Sequence, residues 1–147
     1  MDMLNRILVV CIGNICRSPM AESLLAQRLS GRKPDIWVGS AGLAALVGRP
    51  ADPIAQTLMQ ERGLAITNHR ARQIMRHDIL SSDLILAMDS EQQRLIESSV
   101  PVARGKVHRL GKWGDFDIPD PYGEPRPAFE WSLSLIEEGI KGWESRL

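Results

Sequence analysis

The sequence predicts an α/β protein built on a parallel sheet, and two observations carry that prediction. Short β-branched, apolar runs alternate along the chain with segments of helical periodicity. Strands that alternate with helices imply right-handed βαβ units, which pack around a parallel sheet. Size and composition agree. The 147 residues suit one domain, 1–147, with one buried core, and 44% apolar with 24% charged residues is a globular balance.

The first element is Arg6-Ile-Leu-Val-Val-Cys11, a continuous apolar run of the kind found in strands buried on both faces. Met1 to Val10, interrupted by Asp2, Asn5 and Arg6, reads as the opening strand and not as a signal peptide. Ser18 suits an N-cap, Pro19 the first helical position and Glu22 the first turn of a helix that continues through Leu24, Leu25 and Leu29 to Gly31. Ile36 to Val38 predicts a second strand, followed by a glycine-containing loop from Gly39 to Gly48. Asp52-Pro53 repeats the cap-then-proline device. Ile54, Leu58 and Met59 then form the inner face of a helix that stops at Gly63. Asp83 to Met88 is a third strand, with a helix from Ser90 to Glu97, and Lys106 to Leu110 is a weaker fourth strand. Gly111 to Pro127, rich in Gly, Pro and Asp, is a long loop, and such loops are often functional. Beyond it Phe129, Leu133, Ile136, Ile140, Trp143 and Leu147 recur at alternating steps of four and three, the stripe of an amphipathic helix packed on the sheet.

Charge and cysteine usage exclude several classes. Lys plus Arg equals Asp plus Glu, 18 each, so the basic excess of a nucleic-acid binder is missing. No apolar run is long enough to insert in a membrane. Two cysteines, Cys11 and Cys16, are too few to staple a secreted scaffold. The expected compartment is the cytoplasm, where thiols stay reduced. No His/Cys/Asp spacing suggests a metal site.

Chemistry is expected at Cys11-Ile-Gly-Asn-Ile-Cys-Arg17-Ser18. By itself Cys-x5-Arg is a weak signal; its place sharpens it. The cysteine ends a buried strand and the arginine precedes a helix, and ligands bind at the C-terminal ends of strands in open α/β sheets. Gly13 and Asn14 tolerate left-handed backbone, so the loop can curl and turn its N–H groups inward. Residues 12–18 with the helix N-terminus then make an anion cradle, and Arg17 adds a planar fork that matches two phosphate oxygens. Both features favour the thiolate of Cys11, poised for in-line attack on phosphorus. The long loop offers a proton donor in Asp120, flanked by Pro119 and Pro121, with Asp117 and Asp115 as alternatives. Tyr122 is a candidate wall for a substrate ring.

These residues, with Asp120-Pro-Tyr122, Gly39-Ser-Ala-Gly42 and Asn68-His-Arg-Ala-Arg72 in order along the chain, closely resemble the low-molecular-weight protein tyrosine phosphatases. The resemblance implies a four-stranded parallel sheet flanked by helices on both faces, a three-layer arrangement, with no metal or organic cofactor. It implies Cys11 as nucleophile, Arg17 as transition-state clamp and Asp120 as general acid, then base. Ile12, Gly13, Asn14, Ile15, Cys16, Arg17 and Ser18 would bind the phosphate, and Asn14, Ser18, Ser40 and His69 would form a polar network behind the loop. The segment Ser40 to Gly48 is similar to the bacterial branch, in which an apolar residue such as Leu46 lines the rim where animal members carry tryptophan. Relatives of that branch act on tyrosine autokinases that control exopolysaccharide assembly, which makes a tyrosine-phosphorylated protein of that kind the expected partner. A monomer or weak dimer is the expected state. The likeness also favours Cys16 as a redox partner that protects Cys11 as a disulfide, against a plain packed thiol.

Other readings share the fold. A thiol-linked arsenate reductase would use the same loop; no cysteine follows Cys16 to continue a disulfide relay within the chain, so that reading needs rescue by a glutathione- or mycothiol-type thiol. Phosphoarginine phosphatases of the same family carry threonine where Ile15 stands, and the bulkier Ile15 suits a flat aromatic ring. A phosphate-binding module without activity finds no support, since nucleophile, clamp and acid are all present. His77 and His108 read as surface or strand-edge residues, and Arg70, Arg72 and Arg76 as a solvated face before a docking patch. Trp113 is a candidate substrate contact, and Trp131 and Trp143 are expected to serve packing.

Overall fold

The apolar run of the opening segment forms β1, Arg6–Cys11, and occupies the interior of the sheet. The computed structural model describes residues 4–147, so the Met1–Met3 part of the segment read as the opening strand lies outside the described residues. Strands β2 (Trp37–Gly42), β3 (Leu84–Ala87) and β4 (Val107–Arg109) complete a sheet of order β2-β1-β3-β4, with every pairing parallel. Among the described residues five α-helices cover it: α1 (Arg17–Leu29), α2 (Pro53–Glu61), α3 (Arg76–Ser81), α4 (Ser90–Ser99) and α5 (Arg126–Glu144).

Alternation along β1 builds the three layers. Ile7, Val9 and Cys11 face one core with residues of α1, α2 and α5, among them Met20, Leu58 and Phe129. Leu8 and Val10 face a second, smaller core with Ile79 of α3 and Ile96 of α4. The sheet thus divides what was expected as one core into two. The chain leaves β1 toward β2 on one side and reaches β3 on the other, and this reversal opens a crevice beyond the end of β1.

Several boundaries differ from expectation, for physical reasons. Strand β2 continues past Val38 to Gly42 because β1 pairs with it residue for residue, Val9 opposite Ser40 and Cys11 opposite Gly42. Helix α1 starts at Arg17, so Ser18 is inside it and caps nothing. Its hydroxyl turns to Cys11 and Asn14 instead. Glu22 therefore stands beyond the first turn, where it accepts a hydrogen bond from Ser40. Asp52 caps α2 as expected, accepting from Ile54 N at 2.9 Å, and left-handed Gly63 follows the helix end. Helix α3 had no counterpart in the reading; it is short, and Asp78 nucleates it by accepting from Met75 N at 2.8 Å. Helix α5 starts at Arg126, inside the segment read as loop. Trp143 is buried as expected, whereas Trp131 is 60% exposed and serves no packing. No helix among the described residues is long and apolar enough to cross a membrane.

Candidate active site

The loop after β1 is shaped by where its carbonyls go. Cys11 O accepts from Leu43 N, Ile12 O from Ala44 N, Gly13 O from Leu46 N, Ile15 O from Asp52 N and Cys16 O from Met20 N, at 2.8 to 3.4 Å. Asn14 O accepts from the His69 ring at 2.7 Å, which requires the proton on Nε2. All six carbonyls thus turn outward. The N–H groups of residues 13–16 have no acceptor among the described residues. A ring of unpaired N–H donors is an anion-binding concavity, and the N-terminus of α1 adds its dipole. Asn14 makes the curl, with φ 61. Gly13 was expected to share that role but keeps an ordinary φ, and a Cβ there would meet the Leu46 side chain at an ordinary contact distance of 3.7 Å. Close approach matters instead at Gly42, where a Cβ would lie 2.6 Å from Ile12 O.

Behind the loop runs a buried polar chain. The backbone N–H of Arg72 donates to Asn14 Oδ1 at 2.9 Å, which fixes the amide orientation. Asn14 Nδ2 then donates to Ser18 Oγ at 2.8 Å and to Ser40 Oγ at 3.0 Å. Each hydroxyl, having accepted, is free to donate onward. Ser40 donates to Glu22 at 2.6 Å, and Ser18 Oγ lies 2.9 Å from Cys11 Sγ. The order of donors leaves the Ser18 hydroxyl proton to point at sulfur.

Arg17 closes the ring. Only 3% exposed, it donates from Nη1 to Ile118 O at 2.9 Å, and Nη2 lies 3.5 Å from Asp120 Oδ2. Its Nε is buried without a partner among the described residues. Cys11, Ile12, Gly13, Ile15, Cys16, Arg17, Leu46, Asp120 and Tyr122 line one pocket of about 180 Å³. Asp120 is half exposed, and its Oδ1 accepts from Tyr122 N at 3.1 Å. Cys11 and Cys16 are both free thiols. Burial, reinforced by the charge of Asp52, pushes the Cys16 thiol up, so it stays protonated.

The structure therefore gathers the expected loop, clamp, acid and wall residues at one place, with Ser40 and His69 behind. Of the three candidate acids only Asp120 lines the pocket. Asp115 and Asp117 pair with Arg109 instead. Trp113 does not reach the pocket; it packs edge-on against Trp143 and under Arg146. Arg72, read with a solvated face, pairs with buried Asp78. Glu22 was missed as the end of the polar chain. Its signal was the four-residue spacing from Ser18, which sets both on one side of α1. Ile118 was missed because its carbonyl does the work, and carbonyls leave no trace in a sequence.

Comparison with known proteins fits this geometry. Residues 6–147 match the family model described as low molecular weight phosphotyrosine protein phosphatase. EpsP of Ralstonia nicotianae, named a probable low molecular weight protein-tyrosine-phosphatase, is 48% identical over 145 residues, covering 99% of this chain and 97% of the relative. Among solved structures, Vibrio vulnificus Wzb in complex with benzylphosphonate superposes with a TM-score of 0.91 at 39% identity, covering 99% of this chain and all of that one. The YwlE arginine phosphatase from Geobacillus stearothermophilus gives 0.87 at 34% identity, covering 97% and 92%. The chain belongs to the low molecular weight phosphotyrosine protein phosphatase family and is a hydrolase of phosphotyrosine.

Proposed function

We propose that residues 1–147 act as one phosphatase domain that hydrolyses phosphotyrosine in proteins through a phosphocysteine on Cys11. The Cys11 thiolate attacks phosphorus in line as the bond to the tyrosyl oxygen breaks, and Asp120 gives its proton to that oxygen. The Asp120 carboxylate next takes a proton from water, whose oxygen attacks phosphorus. The sulfur–phosphorus bond breaks, returning thiolate and inorganic phosphate. Loop N–H groups and the Arg17 guanidinium hold the equatorial oxygens, and Ser18 steadies sulfur as it leaves. The observation that carries this reading is the outward turn of all six carbonyls around Cys11, which leaves N–H donors and a buried guanidinium at one pocket.

Specificity is set by the walls. Ile15 is buried and lines the pocket, and with Leu46 and Tyr122 it favours a flat ring over a guanidinium. The benzylphosphonate held by the similar Wzb is an aromatic phosphonate, in line with that preference. The resemblance to the bacterial branch supports a tyrosine autokinase of exopolysaccharide assembly as substrate and the cytoplasm as compartment. It also supports Cys16 as redox partner: a peroxide oxidises Cys11 to the sulfenic acid, and the Cys16 thiol displaces water from it to close a disulfide.

Trapping tests the reaction. Rapid quenching during turnover of a labelled phosphotyrosine peptide should leave label on Cys11, acid-stable and lost in Cys11→Ser. Turnover by Cys11→Ser at near parental rate would overturn the mechanism. Faster turnover of phosphoarginine than of phosphotyrosine peptides would replace the substrate.

A further inference from the structure

The segment between β4 and α5 carries Asp115, Asp117 and Asp120, and the first two converge on one cation. Arg109 Nη2 lies 2.7 Å from Asp115 Oδ1, and Nη1 lies 3.1 Å from Asp117 Oδ1. Arg109 ends β4 opposite Ala87, and its carbonyl accepts from Trp143 Nε1 of α5 at 3.1 Å. Its side chain is only 20% exposed, although both carboxylates reach into solvent. The cation is thus fixed to the sheet at one end and grips the loop at the other.

Beyond Asp117 the chain is stiff. Ile118 is buried, donates from N to Met88 O at 2.9 Å and accepts from Arg17 at O. Pro119 and Pro121 then fix φ on either side of Asp120. Asp115 adopts a left-handed backbone, φ 55, a conformation that non-glycine residues hold only when their surroundings maintain it. Without a shared cation Asp115 and Asp117 would repel each other, and the arm bearing Asp120 would spread over more conformations.

We propose that Arg109 is a positioning residue for the reaction: by pairing with Asp115 and Asp117 it fixes the base of the arm that carries Asp120, and so keeps the proton donor within reach of the leaving oxygen. This rests on the reading of Asp120 as the donor. Arg109 touches no reacting atom and acts through the loop. Its removal therefore matters most where the departing oxygen needs a proton.

The test compares kcat/KM for a phosphotyrosine peptide with that for dinitrophenyl phosphate, whose phenolate leaves unprotonated. In Arg109→Met the ratio of peptide to dinitrophenyl kcat/KM should fall about threefold to tenfold. Arg109→Lys should recover part of it. Asp117→Asn should lower the ratio in the same sense, and combining it with Arg109→Met should add little, because both break one linkage. An unchanged ratio in Arg109→Met overturns the proposal. So does an equal loss on both substrates with a lower Tm, which marks a purely structural role. Asp120→Asn, run alongside, separates the two readings. A large fall in its ratio with none in Arg109→Met removes the positioning role alone, whereas a parental ratio in Asp120→Asn removes the donor and this proposal together.

Discussion

Asn14 combines a left-handed backbone with a side chain whose two amide hydrogens go to Ser18 and Ser40 while its oxygen receives Arg72 N. Both properties are needed at once, and few residue types supply both. Glycine would keep the curl and lose the chain of donors; alanine would lose both, and Arg72 N would lose its acceptor. Asn14→Ala should therefore unfold at about 2 to 4 kcal/mol lower stability in urea titrations. Asn14→Gly should recover part of that stability but little of the lost kcat/KM. Equal activity in Asn14→Gly and the parent would show that the curl alone suffices. At this scale much was legible in advance. The residues of the loop announced themselves by type, since a thiol, an arginine and an asparagine in seven positions have a short list of joint uses. The partners that act through backbone, Ile118 O and Arg72 N, did not.

At the scale of elements, helix α5 meets the end of β4 through a glycine. A Cβ at Gly139 would lie 2.8 Å from Leu110 O and 3.0 Å from Leu110 Cγ, next to the residue that grips the acid-bearing loop. Gly139→Ala improves helix propensity by about 1 kcal/mol, yet it must push α5 off the sheet. The net effect expected in thermal or urea unfolding is a loss of about 1 to 3 kcal/mol. A gain in stability would mean the helix can shift at no cost. The stripe of α5 and the apolar runs of β1 and β3 were readable because burial imposes a period on sequence. Strand β2 was readable only to Val38. Gly39-Ser-Ala-Gly42 has no strand signature of its own and is extended because β1 lies beside it. Helix α3 is too short to show a period, and Ser18 followed a cap's pattern while its hydroxyl was claimed by sulfur.

The molecule as a whole answers to pH through Cys16. Burial raises its folded value above the ordinary 9.0, so at alkaline pH the unfolded chain releases a proton that the folded one keeps. The unfolded state then binds fewer protons, and stability falls as pH rises. The contribution is intact below about pH 9 and declines above it, with a limiting slope of about 1.4 kcal/mol per pH unit. Urea unfolding between pH 8 and 10 should show a shallower decline for Cys16→Ala than for the parent, whatever the offset between them. Parallel curves would mean that the thiol ionises alike in both states.

Strand β1, which ends in Cys11, is flanked by paired strands on both edges and by packed side chains on both faces. Its amides can exchange with solvent only when most of the domain opens, whereas the rim residues Leu46 and Tyr122 stand on loops whose excursions disturb little else. The anvil is therefore as durable as the protein, and the jaws around it are cheap to remodel. Lineages that vary residues at those jaws can acquire new clients while the reaction at sulfur is inherited unchanged.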